Sequence, residues 1–212
     1  GQGYNLWVAL AVLLAGWVVF GMAKDFWFRI GGKAGGLRRL TPSYWGMVLA
    51  HMGFAACVVG VVATSQYSIE HDLKMAPGET ETLAGYEFRF VEVAAVRGPN
   101  FVADEARFEV FEDGKKIAAL APQKRRYLAS GSMMTEAAID PGLFRDLYIA
   151  MGEPIGEQGA WAIRLHYKPM VRWMWLGAIL MGFGGFTTAF DKRYRRHRSG
   201  APAKAAGVQY AS

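Results

Sequence analysis

The residues of this chain best suited to chemistry are its four histidines, and one of them has an unusual setting. His51 lies nine residues into an uncharged run, preceded by Ala50 and followed by Met52 and Gly53. A polar side chain is costly at that depth of an apolar segment and tends to be functional. Imidazole there can hydrogen-bond a neighbouring helix, relay protons, or ligate a metal such as haem iron, and the residues alone leave all three open. A bis-histidine site needs a second ligand at similar depth, and no other histidine lies in such a run. Met47, Met52 and Met181 carry donor sulfur, although methionine in apolar helices is ordinarily packing. His71, just beyond the run, His166, in a strand-like segment, and His197, in a basic tail, read as surface or packing residues.

Two further features bear on chemistry. Lys124-Arg125-Arg126 is a basic cluster in an otherwise acidic region, able to attract carboxylates or an acidic partner surface. The single cysteine, Cys57, excludes an internal disulfide and any cysteine-based zinc or iron–sulfur centre. No catalytic triad, glycine-rich nucleotide loop or diagnostic carboxylate pair is present, so ordinary hydrolase chemistry is unsupported.

The elements that position these residues follow from charge segregation. The 212 residues are 52% hydrophobic and 20% charged. Asn5–Ala23, Ser43–Thr64 and Met170–Phe190 hold no charge except Arg172, and each has about the 20 residues that cross a bilayer core. The predicted organisation is two spans (5–23 and 43–64) within residues 1–64, a β domain over 65–169, a third span over 170–190 and a basic tail over 191–212. The first run lacks the basic lead and cleavage site of a signal peptide and is read as a span. The start at Gly1 without methionine leads us to expect a piece of a longer polypeptide, or a processed chain.

Lys24, Arg29, Lys33, Arg38 and Arg39 follow the first run, and Lys192, Arg193, Arg195, Arg196, Arg198 and Lys204 follow the third. Positively charged short loops stay in the cytoplasm, so residues 65–169 are expected on the opposite, periplasmic side. Residues 65–169 carry 12 basic against 16 acidic residues, so topology accounts for the net charge of +6 without nucleic acid.

Small residues recur in the second run at Gly46, Ala50, Gly53, Cys57 and Gly60, and in the third at Ala178, Gly182, Gly185 and Ala189. Both stripes predict close helix packing. Trp45, Trp173 and Trp175 fit interfacial anchors. Between the runs, Tyr86, Phe88 and Phe90 alternate with Glu87, Arg89 and Glu92, the period of a strand with one wet face. Arg107–Phe111 leads through Asp113-Gly114 into Lys116–Leu120, a hairpin signature. With Arg126–Leu128, Leu147–Met151 and Ala160–Tyr167, this predicts an antiparallel sandwich or barrel of about six strands.

Longer segments carry a resemblance. Trp45-Gly46-Met47 through Leu49-Ala50-His51-Met52-Gly53, Gly98-Pro99-Asn100-Phe101, Lys124-Arg125-Arg126-Tyr127 and Thr135-Glu136-Ala137-Ala138-Ile139 are followed by Arg145-Asp146-Leu147-Tyr148, Gly152-Glu153, and Tyr167-Lys168-Pro169 leading to Val171-Arg172-Trp173 and Trp175-Leu176-Gly177. In order and topology these are similar to the C-terminal part of the CcmF/CycK family, the haem lyase component of bacterial cytochrome c maturation, from about Gly1 to Tyr194.

The resemblance implies a multi-pass protein of the bacterial inner membrane. It further implies that haem b is held between two membrane histidines, of which His51 matches one. On charge alone, Lys124, Arg125 and Arg126 are candidate contacts for a haem propionate or a partner, with a solvated strand or loop as the ordinary alternative. The implied partners are a periplasmic haem chaperone, an apocytochrome c bearing Cys-x-x-Cys-His, other cytochrome c maturation membrane proteins, and the N-terminal region of the same protein or a split subunit. The family's tryptophan-rich segment, periplasmic histidines and second membrane histidine have no match here, so a complete lyase is not expected. A non-catalytic assembly subunit whose external domain docks maturation proteins is the competing reading. Haem transport ranks last, for want of a charged pathway through the spans.

Overall fold

A computed structural model describes residues 6–31, 40–156 and 159–191. Lys33, Arg38, Arg39, His197 and the basic tail lie outside the described residues. Helices α1 (Leu6–Ile30) and α2 (Pro42–Tyr67) precede ten strands, and helix α3 (Val171–Ala189) follows them. At 1.5 Å per residue, the 25 and 26 residues of α1 and α2 extend roughly 37–39 Å. Both are long and apolar enough to cross a membrane. The shorter α3 has 19 residues. The chain divides into two compact units, one of residues 1–12 and 57–175, the other of residues 13–56 and 176–212.

In the first unit the strands form two antiparallel sheets. One has four strands, ordered β1 (Ile69–Met75), β10 (Ala160–Pro169), β9 (Arg145–Ile155) and β8 (Ala138–Pro141). The other has six, with β2 (Thr80–Leu83), β3 (Tyr86–Arg97), β4 (Phe101–Glu112), β6 (Gln123–Tyr127) and β7 (Met133–Glu136) in order and β5 (Lys115–Leu120) also paired to β4. Ten strands exceed the six expected, because β1, β2, β7 and β8 are short or polar and lack a clear alternation.

The Asp113-Gly114 hairpin forms as predicted, with both residues at positive φ in a two-residue turn joining Glu112 to Lys115. Phe88, Phe90, Phe108 and Val110 from one sheet meet Leu147, Ile149, Met151, Ile163 and Leu165 from the other in a single core. Phe90 and Phe108 stack with centroids 4.6 Å apart.

Helical segments join this unit through specific bonds. The Thr64 hydroxyl donates to the Pro169 carbonyl at 2.8 Å, and a Cβ on Gly60 would lie 2.8 Å from the Met174 backbone nitrogen. Trp173 donates its indole N–H to the Leu143 carbonyl at 3.1 Å, so this tryptophan braces the β domain as well as having the composition of an interfacial anchor. Trp175 is exposed.

In the second unit, α2 opens at Thr41, whose hydroxyl accepts the Tyr44 N–H, with Pro42 in the first helical position. Trp45 meets Phe26 of α1 edge to face at 6.0 Å. The α2 stripe packs closely, as expected. A Cβ on Gly53 would lie 2.6 Å from the Gly177 carbonyl and 2.8 Å from the Met181 nitrogen. On α3 the expectation needs correction: Gly177, Met181, Gly184 and Thr188 face α2, the same 4-3-4 spacing one residue earlier than the stripe read from the sequence. A Cβ on Gly182 or Gly185 would meet nothing within 4 Å. Two neighbouring stripes of equal spacing differ by about 100° of rotation, which spacing alone does not resolve.

Candidate functional site

His51 is placed by α2. Successive helical residues turn by about 100°, so His51, two positions before Gly53, points away from the face that meets α3. It is exposed among the described residues, on the side that also exposes Met47 and Phe54. Its Nδ1 lies 2.8 Å from the Met47 carbonyl oxygen one turn earlier. A carbonyl only accepts, so Nδ1 must carry the hydrogen. In a neutral ring that tautomer leaves the Nε2 lone pair for a ligand, the arrangement a histidine adopts when it binds a metal with its other nitrogen anchored.

The methionines divide. Met47 supplies the anchoring carbonyl, Met52 is partly exposed, and Met181 sits on the α3 surface facing Gly53, opposite the imidazole. Cys57 is a free, partly buried thiol. Among the described residues no group of three or more His, Cys, Asp or Glu is arranged to hold a metal ion.

The basic cluster does not act as one patch. Strand alternation puts Lys124 and Arg126 on one face of β6 and Arg125 on the other. Lys124 reaches Glu153 at 2.8 Å and the Thr135 hydroxyl at 3.3 Å. Arg125 lies over the Phe101 ring at 4.4 Å and pairs with Glu136 at 3.3 Å. Arg126 is exposed and has no side-chain partner among the described residues.

The other two described histidines keep ordinary roles. His166 packs edge-on to Tyr148 and lies 3.5 Å from Glu70; burial holds its pKa below the usual imidazole value, against the opposing pull of Glu70. His71 lies 3.6 Å from Glu81 on the surface. Nearby, the Arg164 hydrogen bond holds the Asp72 carboxyl below the ordinary carboxylate range. What sequence reasoning missed is Arg97, which stands in the same cross-strand row as Arg126. Its signal was obscured by a bulge in β3.

Fold and site together define a two-sheet β-sandwich carried between apolar helices, with one outward-facing imidazole on the second helix. Residues 66–169 match the family described as the CcmF C-terminal beta-sandwich. Over 192 residues the chain is 53% identical to the cytochrome c-type biogenesis protein CcmF of Pseudomonas aeruginosa, covering 89% of this chain and 29% of that protein. It is 45% identical over 187 residues to CcmF of Escherichia coli, covering 85% of this chain and 29% of that protein. CycK of Bradyrhizobium diazoefficiens is 34% identical over 215 residues, with 98% and 32% covered. A solved structure titled Cytochrome c Heme Lyase CcmF superimposes with a TM-score of 0.72 at 19% identity, covering 89% of this chain and 31% of that one, a likeness of fold. The chain carries the C-terminal region of the CcmF/CycK family and spans about 29% of the length of the first of these relatives.

Proposed function

We propose that this chain is the C-terminal part of a cytochrome c-type haem lyase and that His51 supplies one axial ligand to a haem b held within the membrane. The observation that carries the reading is the hydrogen bond from His51 Nδ1 to the Met47 carbonyl on an exposed imidazole, which anchors one ring nitrogen and leaves Nε2 as the ligating atom of the neutral ring. The outward face of α2 is where helices of the remaining polypeptide would pack and where a second ligand would stand. The residues present fit half of such a ligand set. Iron bound there would supply one-electron chemistry, while the chain's own task is to orient the imidazole and seal one side of the site with Met47 and Phe54.

The wider reading has α1, α2 and α3 as three spans of a bacterial inner membrane protein, with residues 65–169 in the periplasm. There the sandwich meets the haem chaperone, the apocytochrome and other maturation proteins. The likeness to cytochrome c-type biogenesis proteins and the two long apolar helices support it.

The test is to join the chain to the N-terminal region of a CcmF relative, purify the assembly, and compare reduced-minus-oxidised haem spectra of wild type and His51→Ala. Loss of the b-type bands together with cytochrome c maturation is the expected result. Retained haem with normal maturation overturns the ligand assignment and leaves His51 as a packing residue.

A further inference from the structure

The sandwich holds a second feature that the His51 site does not use. Strand β3 carries a bulge between Phe90 and Glu92, where its pairing with β4 skips Val91. An extra residue reverses which side chains face inward. Phe88 and Phe90 point into the core, and after the bulge Val93, Ala95 and Arg97 continue on that same face. On β4 the buried Phe108 and Ala106 continue as Asp104 and Val102, and on β6 the face carries Lys124 and Arg126. Arg97 stands opposite Val102, Val102 opposite Arg126, and Arg126 opposite Met133. The inner face therefore opens at one end into a cavity of about 580 Å³ lined by Arg97, Arg126, Lys124, Asp104, Val102 and Met133.

Exposed arginines are common, but these two occupy positions where the same sheet elsewhere places phenylalanine and valine. They flank Val102 at two strand spacings, about 10 Å between Cα atoms, close enough for both guanidinium groups to reach one ligand. The local charge is settled by the other groups. Lys124 is matched by Glu153, and Asp104, directly opposite Lys124 in register, adds one negative charge. Arg97 and Arg126 have no side-chain partner among the described residues, in a domain that is net acidic. Guanidinium binds carboxylate in a two-point fork, and Val102 offers apolar surface between the two forks, with Met133 adding apolar surface on the far side of Arg126.

We propose that Arg97 and Arg126 form a carboxylate clamp at the open end of the sandwich, for an amphipathic small molecule that carries two carboxylates on an apolar body. That a porphyrin with its two propionates is such a molecule rests on the haem reading above; the carboxylate class rests on the clamp alone.

The full chain is placed in nanodiscs of zwitterionic lipid and titrated with metal-free deuteroporphyrin IX, followed by fluorescence. The probe has no iron for His51 to ligate, so the outcome is separate from the ligand assignment. Arg97→Gln and Arg126→Gln should each weaken binding about tenfold, the worth of a charge-assisted hydrogen bond. Arg125→Gln, on the opposite face, should leave binding unchanged, and the double lysine variant should retain part of the affinity. The dimethyl ester of the probe, tested on the wild-type chain, should bind at least tenfold more weakly than the free acid. Equal binding of ester and free acid overturns the clamp whatever the variants do. So does loss of affinity in Arg125→Gln equal to that in Arg126→Gln. Displacement of the probe by a glutamate-rich peptide at comparable concentration overturns the small-molecule class.

Discussion

The seam between α2 and α3 can be tested with a single methyl group placed at either of two adjacent glycines. A Cβ on Gly184 would lie 2.5 Å from the Gly46 carbonyl oxygen, 2.6 Å from the Ala50 nitrogen and 2.9 Å from the Ala50 Cβ. Ordinary contact begins near 3.4 Å, so the helices would have to separate locally by about 0.9 Å, and most of the obstructing atoms are backbone. A Cβ on Gly185 meets nothing within 4 Å. Gly184→Ala and Gly185→Ala share the same gain in helix propensity, about 0.5–1 kcal/mol, so their difference isolates the seam. Overpacking of this kind costs about 1–3 kcal/mol, which at roughly 2–4 °C per kcal/mol puts Gly184→Ala about 2–12 °C below Gly185→Ala in unfolding temperature. Differential scanning fluorimetry of both variants in one detergent reads this directly. Equal unfolding temperatures would refute the close approach. The obstructed turn, Gly46 to Ala50, adjoins Met47 and His51, so Gly184→Ala should also disturb haem spectra in the assembled protein, while Gly185→Ala should not.

Other expectations concern the sandwich. Phe90 is fully buried and stacked on Phe108, so Phe90→Ala should destabilise the domain by about 3–5 kcal/mol in denaturant unfolding, and Phe90→Leu by clearly less. Burial lowers the His166 pKa in the folded chain, so the unfolded chain takes up the proton more readily. Stability is therefore lost as pH falls through and below about 6.5. His166→Gln should flatten the pH dependence of the denaturation midpoint between pH 8 and pH 5, and an unchanged slope would remove His166 as its source.

Much of the architecture was legible because its causes are local. Long uncharged runs announce apolar helices, and those over α1 and α2 are indeed long enough to cross a membrane. Asp113-Gly114 encodes its hairpin because two adjacent residues must adopt positive φ. The alternation at Tyr86, Phe88 and Phe90 correctly marked an inner face. Short edge strands were not legible, since β7 and β8 are held by pairing across the sheet rather than by their own composition.

By itself the sequence determined that a histidine stands within an apolar helix, that a β domain separates apolar segments, and which family the chain resembles. Only the tertiary structure decided which groups are available. The Met47 carbonyl selects the His51 tautomer, a contact that depends on rotamer as well as on sequence spacing. The bulge at Val91 turns Arg97 onto the face of Arg126, and cross-strand partners remove Lys124 and Arg125 from what reads as one basic triplet. The α3 stripe one residue earlier than expected has the same cause. Spacing defines relative positions along an element, whereas its rotation and register are set by the surfaces it packs against.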